Sequence, residues 1–120
     1  MEQEFKALYK LADRLLQQDP KAQQIIVVRT SENIIYSFAD HDIRSGNVKE
    51  VLQFEMQLKQ NGSPRITELV CLWNDNIGWL DIPCWYLRKA LVKMNPENKK
   101  TKVLLPDGDG FMIKTLEVMV

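Results

Sequence analysis

The sequence predicts an α+β protein with an antiparallel sheet of about six strands, in three hairpins, and two amphipathic helices packed on one face of the sheet. Apolar residues recur at spacings of three and four near the start of the chain and in its last third. Elsewhere, short alternating or continuous apolar runs lie between turn residues, as is typical of strands. The chain has 120 residues, the length of one domain, and we expect a single domain over 1–120.

The first elements follow from local patterns. An apolar stripe predicts a helix over about 2–18, which Asp19-Pro20 ends because the residue before a proline avoids helical backbone angles. Residues 25–28 form a continuous run of β-branched side chains, which predicts a strand buried on both faces. Residues 34–39 alternate and predict its hairpin partner.

Residues 48–59 fit two structures. Their apolar side chains match a helix fairly well, but Leu52, Phe54, Met56 and Leu58 also alternate with polar residues without a miss. We interpret this segment as a one-sided strand, which turns at 61–64 and pairs with a strand over 66–73.

In the last third of the chain, residues 73–80 predict a polar loop. Asp81 is a good N-cap and Pro83 suits a first turn, so a helix is expected over about 82–94. Residues 101–105 and 111–118 flank a turn rich in glycine and aspartate, and they predict the third hairpin.

Composition excludes several classes of protein. Sixteen Lys and Arg balance sixteen Asp and Glu, so no global field steers the chain onto nucleic acid or an anionic membrane. No apolar run reaches the roughly 18 residues that span a bilayer. Residues 1–10 lack the pattern of a signal peptide, and two cysteines are too few for a disulfide scaffold. We expect a cytoplasmic protein with no membrane partner.

All three tryptophans lie within residues 73–86. Such clusters anchor interfaces or stack on planar ligands, although tryptophan also packs into cores. We predict an interaction surface here, with three aromatic anchors and a polar rim. Its residues are Trp73, Asn74, Asp75, Asn76, Trp79 and Trp85.

The sequence shows no catalytic constellation. Cys84 lies near a helix start, where a thiol pKa can fall, but it shares a face with Leu87 and Leu91 and is expected in the core. His41 lies in a polar loop and is expected to be solvated. Two cysteines and one histidine lack the paired spacing of a zinc site, so we predict no metal, no cofactor and no catalytic residue.

A basic stretch over 86–102 is the candidate nucleic-acid contact. Basic side chains beside aromatic ones are what single-stranded nucleic acid needs, although a solvated helix face looks the same. Against Glu97 alone, the stretch carries Arg88, Lys89, Lys93, Lys99, Lys100 and Lys102.

These observations favour a non-catalytic protein-interaction module over an enzyme, with a protein partner or a second copy of the chain. Self-association is suggested by the apolar C-terminus, 116–120, which we interpret as the end of a strand that is either paired inside the sheet or exposed at its edge, and an exposed apolar edge invites partner strands. The first alternative is a nucleic-acid-associated protein that uses 86–102. The second alternative is a small-ligand binder or enzyme with a pocket near Trp79 and Cys84.

Overall fold

The centre of the fold is a mixed β-sheet. The computed structural model describes residues 1–75 and 77–119, and the sheet order is β2-β1-β3-β5-β6, with β4 paired to the end of β3. Strands β3 and β5 are parallel, with Glu68 opposite Lys102, and the other pairs are antiparallel. The strands are β1 (Gln24–Thr30), β2 (Ile35–Asp40), β3 (Ile66–Asp75), β4 (Ile77–Leu80), β5 (Lys102–Asp107) and β6 (Gly110–Thr115).

Three α-helices cover the sheet within the described residues: α1 (Gln3–Gln18), α2 (Lys49–Gln60) and α3 (Trp85–Met94). Helix α1 packs on one face, against Ile25 and Val27 of β1. Helices α2 and α3 pack on the other face, against Ile26 and Val28 of the same strand. Short 3₁₀ turns lie at Ile43–Ser45, Pro96–Lys100 and Leu116–Val118.

The α+β class is confirmed, but the predicted architecture is wrong in three respects. The sheet is mixed rather than antiparallel, and three helices rather than two cover it, on both faces rather than one. The physical reason is visible in β1, where residues 25–28 are fully buried and alternate between the two cores. A strand that is apolar on both sides needs a covering layer on each side.

The strand predicted over 52–59 is a helix, α2. Val51, Phe54 and Leu58 face the core, at helical spacings of three and four. Leu52 and Met56, which the strand interpretation placed on the same buried face as Phe54, are instead 39% and 58% exposed.

Two further predictions fail near turns. The loop predicted over 73–80 contains β4, which pairs with the end of β3. The last strand stops at Thr115, and Leu116–Val118 is a 3₁₀ turn whose Leu116 is buried. The C-terminal segment from Leu116 to Met119 is therefore not a strand, and self-association stays a prediction.

The C-terminal end of α3 is fixed by buried polar side chains. Asn98 accepts a hydrogen bond from the Ile66 amide at 2.7 Å and donates one to the Leu91 carbonyl at 2.9 Å. Thr101 donates to the Ile66 carbonyl at 2.6 Å. These bonds join α3 to the start of β3.

Among the described helices, none is long and apolar enough to span a bilayer.

Candidate functional site around the start of helix α3

Helix α3 begins one residue after Cys84, which occupies its N-cap position. The predicted N-cap, Asp81, instead accepts a hydrogen bond from the Ile82 amide at 2.7 Å and lies before the helix. The amide of Cys84 donates to Gln24 Oε1 at 3.0 Å. A side chain from β1 thus satisfies a backbone donor that the helix start leaves free.

Gln24 belongs to a buried polar cluster beside this helix start. Gln24 and Asp40 lie opposite each other on β1 and β2, and both are fully buried. Gln24 Oε1 also accepts from the Cys71 thiol at 3.5 Å, and one Asp40 oxygen accepts from the Asp42 amide at 3.1 Å. Within the described residues, Gln24 Nε2 and Asp40 Oδ2 have no hydrogen-bond partner. Burial raises the pKa of Asp40.

Burial affects both thiols of this cluster in the same direction. Burial raises the pKa of Cys84, and it raises the pKa of the fully buried Cys71 well above its ordinary value. A raised pKa lowers the fraction of thiolate, which is the nucleophilic form. Cys84 is half-buried and packs against the core cluster that contains Leu87 and Leu91, and its lack of reactivity stays a prediction.

His41 has different neighbours from those that its sequence context suggests. It lies between Asp40 and Asp42 in sequence, but its Nδ1 contacts Glu50 Oε2 at 2.8 Å and its Nε2 contacts Asp19 Oδ2 at 2.6 Å. The hydrogen bonds with Glu50 and then Asp19 raise the pKa of His41. Both ring nitrogens are occupied, in opposite directions from the ring.

The predicted interaction surface is divided between structural and exposed residues. Trp73 is half-buried and its indole N–H donates to the Ile82 carbonyl at 2.9 Å. Asn74 Nδ2 donates to the carbonyls of Pro20 and Ala22, both at 3.1 Å. These two side chains therefore have a structural role, because they donate hydrogen bonds to backbone carbonyls. Trp79 is 53% exposed on β4. The predicted rim residue Asn76, and the side chain of Asp75, lie outside the described residues.

Trp85 lines a cleft of about 230 Å³ between α2 and α3. Trp85 is 58% exposed, and Lys89 Nζ lies 4.3 Å from its ring centroid, which is a cation–π contact. Trp85, Lys89 and Lys93 follow at intervals of four and form one stripe along α3. The cleft is lined by Glu55, Trp85, Tyr86, Lys89, Ala90 and Lys93.

The other basic residues predicted to contact nucleic acid point elsewhere. The Arg88 guanidinium donates to the carbonyl oxygen of Met119. Lys100 pairs with Glu97 at 3.4 Å, and Lys102 pairs with Glu4 at 3.6 Å. Lys99 is exposed, but it lies on the 3₁₀ turn after α3 and is not among the residues that line the cleft. The structure therefore brings together Lys89 and Lys93 with Trp85 and Tyr86, and it disperses the rest of the basic stretch.

The fold is similar to that of cytidine deaminases of known structure. The chain matches the cytidine deaminase from Mycobacterium leprae with a TM-score of 0.64 at 12% identity, over 99% of this chain and 98% of that chain. It matches the enzyme from Bacillus anthracis with a TM-score of 0.59 at 15% identity, over 95% and 84%. A mutant of the Mycobacterium tuberculosis enzyme gives 0.53 at 10% identity, over 92% and 93%. No family model and no curated protein matches the sequence.

At these identities the likeness establishes the fold, and it corrects the functional prediction. The structural neighbours are catalytic deaminases, so the prediction of a non-catalytic protein-interaction module is wrong, and the protein–protein interaction description fails with it. The pattern of residues does not reveal this likeness, because the neighbours share so few residues with the chain.

Zinc deaminases hold their metal with one His and two Cys, or with three Cys, in an H-x-E and P-C-x-x-C signature. Pro83 and Cys84 match the start of the second motif, but its second cysteine corresponds to Leu87, which is fully buried in the core. His41 is engaged by carboxylates, as described above. Within the described residues, no group of three His, Cys, Asp or Glu side chains is arranged to hold a metal ion. The residues do not fit the zinc centre of that class.

Proposed function

We propose that the protein binds single-stranded nucleic acid along helix α3, with a base stacked on Trp85 and the backbone phosphates near Lys89 and Lys93. The observation that carries this proposal is the stripe of an exposed tryptophan and two lysines at successive helical turns, beside an aromatic-lined cleft. Aromatic platforms combined with a basic track are how proteins bind single strands without a fixed sequence.

Trp85 has the surface that stacking needs. More than half of the residue stays exposed even with Lys89 over its ring, so a planar base can replace water on it. Tyr86 is half-buried in the same cleft and adds a second aromatic wall. Stacking of a base on an aromatic side chain contributes about 1–3 kcal/mol.

The local charge also favours a phosphate backbone, although the chain as a whole is neutral. Lys89 and Lys93 line the cleft and make no ion pair with a carboxylate in the described residues. Glu55 is the acidic residue of the cleft, and Lys59 pairs with it at 3.2 Å on α2. The cleft therefore holds two cations that no described carboxylate neutralises, one of them in contact with the Trp85 ring.

A preference for pyrimidine bases is supported by the fold. The structural neighbours are named as deaminases of cytidine, which is a pyrimidine nucleoside. We expect single strands of dC or dT to bind more tightly than single strands of dA, and free cytidine to bind more weakly than any of them because it lacks the phosphates.

The test is fluorescence anisotropy with labelled ten-nucleotide strands of dC, dT and dA. Trp85→Ala should weaken binding about 5- to 140-fold, which is the free energy of one stacked base expressed as an affinity. Trp79→Ala is the matched control, because Trp79 is a tryptophan of similar exposure on β4 and should leave the affinity unchanged.

Salt dependence provides an independent test of the lysines. The affinity should fall with salt, and replacing both Lys89 and Lys93 by Gln should reduce the log–log slope by about 1.4, which is 0.7 for each phosphate of a single strand that is no longer neutralised. Equal decreases in affinity for Trp85→Ala and Trp79→Ala, or a slope that the lysine variant leaves unchanged, would refute the proposal.

A further inference from the structure

A second cleft, of about 330 Å³, lies at the opposite end of α3 from Trp85. It is formed where the β1–β2 turn approaches the loop between α2 and β3, and polar side chains line most of it. Lys93 lines the first cleft and Asn95, two residues later, lines the second, so one helix connects them. The residues that carry the argument are Ser31, Glu32, Ser63, Arg65 and Asn95.

Arg65 is the unusual residue of this cleft. Its Nε is buried, and within the described residues it has no hydrogen-bond partner. Its guanidinium also makes no ion pair with any described carboxylate. A buried guanidinium N–H without an acceptor is costly, since each such donor loses its hydration without replacement. The Nη groups of Arg65 are not among the buried unpaired atoms, so an anion that enters the cleft reaches these donors, next to the buried Nε.

The neighbouring groups suit a phosphate. Ser31 and Ser63 line the same cleft, and neither hydroxyl has a hydrogen-bond partner among the described residues. An arginine with nearby hydroxyl donors is a common way of holding phosphate oxygens. Glu32 is exposed and also lines the cleft, and its charge opposes an anion.

We infer that the Arg65 cleft holds a backbone phosphate of the same strand whose base stacks on Trp85. This inference rests on the proposed function and extends it along α3. Ten helical residues rise about 15 Å, a span that roughly four nucleotides cover at 3.4 Å each. A strand stacked at Trp85 therefore reaches the cleft only when it is longer than two or three nucleotides.

The experiment measures the affinity of dT strands of two and ten nucleotides with 5′-hydroxyl ends for the wild type, Arg65→Gln and Trp85→Ala. Arg65→Gln should weaken the ten-nucleotide strand about tenfold and lower its salt slope by about 0.7, while it leaves the dinucleotide unaffected. Trp85→Ala should weaken both strands. Arg14→Gln, an exposed arginine on α1, is the matched control and should change neither.

Glu32→Gln adds a test in which the affinity should increase instead of decrease. Removing this carboxylate should tighten the ten-nucleotide strand by about two- to threefold, an effect the size of one exposed charge interaction. A 5′-phosphorylated dinucleotide forms a separate arm: if it gains affinity in the wild type but not in Arg65→Gln, the cleft takes a terminal phosphate, and the four-nucleotide register is wrong. Circular dichroism of each variant confirms that it is folded.

The outcomes separate the two proposals. If Trp85→Ala weakens binding and Arg65→Gln does not, the cleft inference is wrong and the proposed function stands. If Arg65→Gln weakens binding and Trp85→Ala does not, stacking at Trp85 is refuted. The cleft inference is then wrong too, because it counts about four nucleotides from a base stacked on Trp85. If both variants bind as the wild type does, both proposals are wrong.

Discussion

At the scale of single residues, His41 joins three elements that are distant in sequence. It follows β2, and its ring nitrogens contact Asp19, at the end of α1, and Glu50, in the first turn of α2. The protonated ring is the form that satisfies both carboxylates, which is why the pKa of His41 is raised above its ordinary 6.5. The contacts hold α1 and α2 against the same end of β2.

This raised pKa predicts a pH-dependent stability. The folded state binds the proton more tightly than the unfolded state, so the stabilisation is fully present below about pH 6.5 and is lost as the pH rises through the folded pKa of His41. The urea midpoint of the wild type should fall between about pH 6 and pH 9. His41→Gln should remove this part of the decline.

Asp40 is the group next to His41 that also titrates with a raised pKa. Its effect on stability has the same sign, because the folded state again holds the proton more tightly, but its window starts near 3.8. The difference between the wild type and His41→Gln isolates the histidine. Parallel pH profiles for the two proteins would show that His41 contributes nothing.

The sequence indicated some residues of the site and missed others. Trp85 and Lys89 stand out in the sequence because aromatic and basic residues are conspicuous there. Gln24 and Asp40 do not, since they are polar residues at the two ends of a predicted hairpin. Only the register that places them opposite each other, under the start of α3, gives them a role.

At the scale of elements, α2 shows where pattern reasoning fails. An alternation of eight residues fits a strand, but positions three and four apart are also apolar, so the pattern alone permits both structures. Composition was the better signal. Within Lys49–Gln60, Leu, Met, Glu, Gln and Lys are good helix formers, and Val51 is the sole β-branched residue.

The helix and the strand make different predictions for two side chains. Phe54 is 2% exposed and its ring lies 4.5 Å from that of Phe38, whereas Met56 faces solvent. Phe54→Ala should therefore lower the free energy of unfolding by about 3–5 kcal/mol. Met56→Ala should change it by less than about 0.5 kcal/mol. Urea unfolding measures both, and similar decreases at the two positions would contradict the helix, since a strand places them on one face.

At the scale of the whole molecule, the parallel β3–β5 pair separates this fold from the predicted three hairpins. Parallel strands need a crossover of a dozen residues or more, usually with a helix. The predicted order already contained such a unit, because a helix lay between the strand at 66–73 and the strand at 101–105. We did not predict a parallel pair from this strand–helix–strand unit, because the turn residues on either side favoured antiparallel hairpins. The likeness to deaminases could not be predicted at all, since no zinc motif is complete in the sequence.

The poor fit of the described residues to a zinc centre gives the last prediction, which concerns the whole protein. At least three protein ligands must converge on a zinc ion. Here a leucine, Leu87, stands where the motif has its second cysteine. Gln24 accepts hydrogen bonds from the Cys84 amide and the Cys71 thiol, and His41 contacts carboxylates. The protein purified with zinc present should therefore retain far less than one ion per chain by elemental analysis. Its melting temperature should not change with EDTA.

Cys84→Ser is the informative variant for this test, because Cys84 is the one cysteine that matches the deaminase motif. Stoichiometric zinc in the wild type that Cys84→Ser abolishes would overturn the conclusion that the residues do not fit the metal. If zinc is absent from both proteins, the hydrogen bonds of Gln24 to the Cys84 amide and the Cys71 thiol stabilise the start of α3 without a metal. Gln24→Ala should then lower the melting temperature, since it leaves the half-buried Cys84 amide without its acceptor.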